Sequence, residues 1–401
     1  MWQQIRSNRI RSVFLVIGMG VLLALLGYFL GLYFAGSGEL GLLIALMIWG
    51  IMTLVGYFQG DSILLATARA RKIKPEDHPR LYNIVEEMKI ASGLEKMPDV
   101  YIMDDPAMNA FATGRDPKKA SVAVTSGLLQ KLNRDELQGV VGHEMAHVRN
   151  RDVLLMALAA VLLGSIVVIA WYASRFFIFG GMGRTRRSSS SGGGGIAMLI
   201  IMAVAILLMI LAPIFAQLIY FALSRRREYL ADASSAQYTR YPEGLASALG
   251  KIAGSTEQLK SANNATAPMY IINPFRKRGM TAQELTSTHP PISERIRILR
   301  AMGGASYADY SRAYQEIRHT TKMFIPEAAL AAVGSVSLRQ AQPEAPEKSE
   351  VLQRVRETNN ALWNAHNYRT ITCACGTRLR LPPTYKKPEI KCPHCGRINP
   401  V

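Results

Sequence analysis

The chain has 401 residues, 49% of them hydrophobic, and 47 Lys and Arg against 29 Asp and Glu give a formal net charge of +18. Mean hydropathy is +0.10 and the pI about 9.9. That apolar content excludes an intrinsically disordered chain, and beside a basic surplus it points to membrane spans flanked by Lys and Arg.

Two uncharged apolar runs, 13–35 and 40–58, open the chain, and two more follow at 153–173 and 196–223. A helix needs about 20 apolar residues to cross a bilayer core, so four transmembrane helices in two hairpins are expected. The length of the first run, with a second so soon after it, argues against a cleaved signal peptide. Arg6, Arg9 and Arg11 precede the first run, and Arg69, Arg71, Lys72 and Lys74 follow the second. Counting positive charge therefore puts both termini and residues 60–152 in the cytoplasm. Against this, the loop 179–195 carries Arg184, Arg186 and Arg187, yet it lies outside if the third and fourth runs both cross. Within it, the Gly/Ser stretch 188–195 reads as a flexible connector.

Residues 60–152 read as a soluble α/β piece: a helix over 80–91, with His78 at its entry, and short strands at 100–103 and 120–125. The second strand offers an edge on which an extended peptide could add. Asn133 then caps a helix that carries His143-Glu144-Met145-Ala146-His147. Spacing of i, i+4 stacks the imidazoles on one helical face, close enough to share a zinc ion. Glu144 beside them is placed to take a proton from the attacking water and pass it to the leaving amine. Two incidental histidines on an amphipathic helix are the alternative, but only seven occur in the chain. After the fourth run, Glu228 and Asp232 again share a helical face, a candidate third ligand with a carboxylate one turn away to orient a ligand imidazole. An even number of crossings separates the two halves of this site, as one metal requires.

Beyond residue 302 the composition turns mixed, and 303–348 reads as a linker. A helix is expected over 349–368, before Cys373, Cys375, Cys392 and Cys395, all the cysteines there are. Two cysteine pairs, each followed by glycine, suit a zinc ribbon, a structural site with no open position for water. The first pair is one residue tighter than usual. Around it Arg369, Arg378, Arg380, Lys386, Lys387 and Lys391 favour anionic lipid headgroups as partner. Without interleaved aromatic residues they argue against nucleic acid.

Five motifs occur in one order: Asn109-Ala110-Phe111-Ala112-Thr113-Gly114, the segment 122–129, the His143–His147 motif, the segment 224–232, and Thr288-His289-Pro290-Pro291-Ile292-Ser293-Glu294-Arg295-Ile296. Together they resemble the HtpX-type membrane metallopeptidases, more distantly related to the CAAX-prenyl proteases. The resemblance implies an α+β, mainly helical, gluzincin-type membrane metallopeptidase with four transmembrane helices and a small sheet, extended here by the ribbon. Its divisions would be 1–59 (first hairpin), 60–152 (first catalytic part), 153–224 (second hairpin), 225–302 (second catalytic part), 303–348 (linker) and 349–401 (helix and ribbon). It implies one catalytic zinc on His143, His147 and Glu228, Glu144 as base and Asp232 behind the ligands; the structural zinc expected on the cysteines rests on their own spacing. Asn109 and His289 would contact the substrate or the developing oxyanion, with Arg295 supporting that subsite. The activity implied is cleavage of membrane or membrane-associated proteins at the cytoplasmic face of a bacterial inner membrane, in quality control. Processing of prenylated tails and a non-catalytic zinc-binding scaffold are the alternatives. A transporter would need ionisable groups within the spans.

Overall fold

The computed structural model describes residues 2–180, 194–260, 270–271, 290–321, 336–341 and 348–401. Helices α1 (Trp2–Ala35) and α2 (Gly38–Thr67) form a tight antiparallel hairpin. Their approach depends on glycine, since a methyl on Gly31 would lie 2.6 Å from the Gly41 Cα. Among the described residues, two helical segments, Val13–Ala35 and Gly38–Thr67, are long and apolar enough to cross a membrane. Phe14, Leu43, Met47 and Leu54 are exposed on their outer faces. Helices α6 (Asp152–Gly180) and α7 (Gly194–Thr239) run unbroken through the third and fourth apolar runs. Most of the expected connector 188–195 lies outside the described residues.

Between these hairpins sit β1 (Arg71–Lys72), α3 (Pro79–Ser92), β2 (Asp99–Met103), β3 (Ala110–Thr113), β4 (Ser121–Thr125), α4 (Ser126–Lys131) and α5 (Arg134–Arg149). The described strands here form one sheet in the order β1-β2-β4-β3, with β2 and β4 parallel and β3 antiparallel to β4. This corrects the expected docking edge. The strand at 120–125 is central, with both sides paired, and the outer strand beside it is β3, with β1 at the opposite edge. On one face of the sheet Val122 and Val124 pack with Leu81, Ile84 and Val85 of α3 and Val140 and Val141 of α5. On the other, Phe111 and Ala123 meet Leu64 and Leu65 of α2 and Ala157 of α6. The sheet is thus buried on both faces, with every residue of β3 and β4 buried although β4 alternates valine with smaller residues. This packing also seats the sheet on the C-terminal end of α2 and the N-terminal end of α6.

The second half adds α8 (Pro242–Gly254), α9 (Ile292–Arg300) and α10 (Tyr307–Arg318). The last falls inside the expected linker. Ser306 and Asp309 form a capping box at its start, and Tyr310 is fully buried in the main core. Then α11 (Lys348–Ala365) lies against α4, burying Thr358 and Ala361 completely. The tail closes with two hairpins, β5 (Arg369–Thr372) with β6 (Arg378–Leu381) and β7 (Glu389–Lys391) with β8 (Ile398–Pro400). Arg380 holds the first hairpin to α11 through Asn360 and the ring of Trp363.

Where α11 meets the residues that cap α3, the chain buries a histidine. His78 caps α3 by accepting the Leu81 amide on Nδ1, and its Nε2 lies 3.5 Å from the Thr358 hydroxyl. Burial, helped by the Arg80 charge and opposed by Glu357, lowers its pKa from 6.5 to about 4. The folded protein thus keeps His78 neutral where the unfolded chain takes up a proton. Above pH ~6.5 neither state is charged and stability is unaffected; between ~6.5 and ~4 stability falls as pH falls, and below ~4 the loss is complete. The expected loss is about 3 kcal/mol. Thermal unfolding in detergent across that window, compared with His78→Asn, measures it: an identical pH slope in both proteins would refute the assignment.

Candidate metal centre

Helix α5 begins at a capping box, with the Asn133 side chain accepting the Glu136 amide and Glu136 accepting the Asn133 amide. Its glycines let other helices come close, for a methyl on Gly139 would stand 2.6 Å from the Leu245 amide nitrogen of α8. Across Gly139 runs α7, whose Ser235 hydroxyl donates to the Gly139 carbonyl at 2.7 Å. One turn along, His143 Nδ1 faces Asp232 Oδ1 at 3.0 Å, and a further turn brings His147 Nε2 within 3.4 Å of Glu228 Oε1. Residues ascend on α5 as they descend on α7, so the helices are antiparallel and two i, i+4 stripes interlock.

This packing brings the expected ligands together. His143 Nε2 lies 3.5 Å from Glu228 Oε2 and 3.2 Å from His147 Nε2. Zinc bonds of about 2.1 Å place tetrahedral neighbours about 3.4 Å apart, so these separations fit three residues that would hold one ion. The chemistry of the pocket fits as well. Glu144, Asp152, Glu228 and Asp232 are all buried around it, and the buried Arg295 contacts Glu228 and Asp232. The imidazoles answer that excess of negative charge. Burial opposes their protonation, but hydrogen bonds to Asp232 and Glu228 raise the pKa of His143. Bonds to Asp152 and Glu228 likewise push His147 up to about 10. A bound divalent cation would meet the same field and take the place of those protons.

Glu144 lies on the same helix, 2% exposed. Burial raises its pKa above the usual 4.5, against the lowering effect of the two histidines and of the Ala112 amide that it accepts. A carboxylate so placed is a better base near neutral pH. The Ala112 amide belongs to β3, so the outer strand of the sheet runs beside this carboxylate.

The other expected site residues are placed unevenly. Asn109 is buried at the start of β3, its amide donating to the Thr125 hydroxyl at 3.0 Å and its side-chain oxygen accepting the Ala110 amide. His289 lies outside the described residues. Arg295 is fully buried behind the ligands: Nε and Nη2 donate to Asp232 at 2.8 and 2.7 Å, and Nη1 to the Ile271 carbonyl at 3.2 Å. So placed, it braces Asp232 from behind instead of lining an open subsite. Two neighbours of the centre escaped the sequence reading. Asp152 faces His147, and the Tyr310 hydroxyl lies 3.5 Å from Asp232. The signal for Asp152 was a lone acid at the head of an apolar run; for Tyr310 it was the tyrosine spacing at 307, 310 and 314.

In the tail, the four cysteine sulfurs lie within 4.8 Å of one another, Cys373 to Cys395 at 3.5 Å and Cys375 to Cys392 at 3.7 Å. Zinc–sulfur bonds of about 2.3 Å put tetrahedral sulfurs about 3.8 Å apart. Gly376 and Gly396, at φ 83 and 74, turn the chain after each pair in a conformation that glycine adopts without strain. The tight first pair is thus no obstacle to a four-sulfur cluster.

Positions 75–303 match peptidase family M48. The "Protease HtpX homolog" of Dictyoglomus turgidum is 45% identical over 302 residues, spanning 75% of this chain and 95% of that protein. That of Lactobacillus helveticus is 41% identical over 302 residues and is covered in full. Among solved structures, S. mikatae Ste24p matches at 17% identity with a TM-score of 0.38, over 75% of this chain and 67% of its own.

Proposed function

The chain belongs to peptidase family M48 and is a metallopeptidase, a hydrolase of peptide bonds; on that premise we propose that it cleaves membrane or membrane-associated proteins at the cytoplasmic face, in quality control. The observation that carries this reading is the His143, His147 and Glu228 triplet, its imidazole Nε2 atoms 3.2 Å apart and each within 3.5 Å of a Glu228 carboxylate oxygen. It is seated on a sheet that packs against α2 and α6. These three residues hold the catalytic zinc, and the ion when bound supplies Lewis acidity toward water and a peptide carbonyl. Glu144 takes the proton from the attacking water and delivers it to the departing amine. Asp232 holds His143 in the tautomer that leaves Nε2 free for the metal, and Arg295 holds Asp232. Asn109 and His289 serve the substrate or its oxyanion.

An extended substrate lies along β3, the outer strand, which runs past Glu144. The buried acid beside the ligands speaks against a non-catalytic scaffold, because a structural metal site has no use for one. Four crossing helices with both ends inside, as the flanking arginines favour, keep the centre near the inner membrane surface. They enclose little volume for a prenyl chain, which favours general proteolysis over tail processing. The tail cysteines hold a second, structural zinc, with the surrounding basic residues toward anionic headgroups.

Metal analysis of the full chain in detergent tests the two-site assignment. Two zinc equivalents are expected, falling to one in Cys392→Ser/Cys395→Ser and to one in Glu228→Ala. The intact chain is the right material, since α11 is buried against the catalytic body. Unchanged stoichiometry in the cysteine variant would mean that the cluster is not a zinc site.

A further inference from the structure

Each candidate ligand histidine has two ring nitrogens, and only Nε2 faces the triplet. For His143 the other nitrogen meets Asp232, which the spacing of α7 already suggested. For His147 the corresponding partner comes from a different direction. Its Nδ1 lies 3.1 Å from Asp152 Oδ2, and the Asp152 side chain is 1% exposed.

The chain makes this contact by breaking a helix. Had α5 continued, residue 152 would stand five positions beyond His147, about 140° around the axis and about 7.5 Å along it, out of reach. Instead α5 ends at Arg149 with Asn150 as its cap, and Arg151 takes a left-handed conformation at φ 59, unusual for a residue with a side chain. Then α6 starts at Asp152, which turns the carboxylate back over the imidazole. A strained, non-glycine residue is kept where a simple helix extension would lose the contact.

We propose that Asp152 is a positioning residue for the metal centre: by accepting the Nδ1 proton of His147 it fixes that ring with Nε2 toward the metal, and so ties the site to the start of the helix that enters the membrane. This rests on the reading of His147 as a ligand. The two metal-facing imidazoles are then held by a matched pair of aspartates, one from α7 and one from α6. Both come from helices that run on into the apolar region, so a shift of α6 against α5 would turn His147 out of register and loosen the ion. The ordinary role of an acid in this position is to complement the dipole at the head of α6, and the two roles are separable. Glutamate keeps the charge at the helix start but carries the carboxylate past the ring. Asparagine keeps size and an acceptor oxygen without charge.

The test is zinc affinity of the catalytic centre in the detergent-solubilised full chain, by competition with a chelator, with the ribbon equivalent counted separately. Asp152→Ala and Asp152→Glu should each weaken binding about 10- to 100-fold, and Asp152→Asn should lose less than either. A glutamate variant that binds like wild type while asparagine binds like alanine would assign the residue to the helix dipole and overturn the proposal. So would wild-type affinity in Asp152→Ala. His147→Ala provides the separate check: if it keeps the catalytic equivalent at wild-type affinity, the ligand reading itself fails, and the proposal with it.

Discussion

Replacing Glu144 by Gln should leave both zinc equivalents in place and lower proteolysis by a factor of ~10² or more, the contribution of a positioned general base. The substitution is nearly isosteric, and the amide oxygen can still accept the Ala112 N–H. What it cannot do is take a proton. Glu144 is buried and its pKa is raised by that burial, so the wild-type carboxylate stands closer to working pH than a solvated glutamate. A variant that still binds peptide along β3 without cleaving it should also retain substrate, giving a trap that co-purifies with uncleaved protein. The measurement is the cleavage rate of an unstructured protein substrate in detergent, alongside metal analysis. Near wild-type turnover with zinc bound would remove Glu144 from the mechanism and reopen the scaffold reading.

How far the sequence alone reaches depends on the range of the interaction. His143, Glu144 and His147 were legible because their relation is local, one turn of one helix. Glu228 and Asp232 were legible as a pair for the same reason. That the two stripes meet antiparallel, 139 with 235 and 143 with 232, was not, since it depends on how α5 and α7 pack across glycine. The sheet order failed likewise. The segment 120–125 looked like any alternating strand, and only pairing with β2 and β3 put it in the centre. The linker expectation over 303–348 misjudged a composition: Tyr307, Tyr310 and Tyr314 form one helical stripe, and Tyr310 and Ala313 are buried in the core. Asp152 was hidden by a backbone feature, the left-handed Arg151, that no periodicity announces. In each miss the missing information was a contact distant in space or a single dihedral, not a residue type.

The buried charge cluster behind the ligands gives the second large effect. Arg295 is fully buried, with two of its nitrogens on Asp232 and a third 3.6 Å from Glu228. Burial alone would raise the pKa of Asp232, but Arg295 and His143 together bring it below the usual value, so the carboxylate stays charged and keeps its hold on His143. Arg295→Ala strands two buried carboxylates without their cation, and breaking such a pair costs about 3–5 kcal/mol. Arg295→Lys should fall between, because one ammonium cannot reproduce the two-pronged contact. The double variant Arg295→Ala/Asp232→Asn distinguishes charge from packing. Removing the stranded charge should make it more stable than Arg295→Ala alone, a coupling of about 1–3 kcal/mol expected for residues in direct contact. Its zinc affinity should still be weakened, because an uncharged amide in place of the Asp232 carboxylate holds His143 less firmly. Unfolding midpoints in detergent for the wild type, Arg295→Ala, Asp232→Asn and the double variant give the cycle. If Arg295→Ala unfolds within ~0.5 kcal/mol of wild type, as an ordinary surface substitution does, the guanidinium is not bracing the acids, and the reading of Arg295 as support for the substrate subsite regains its place.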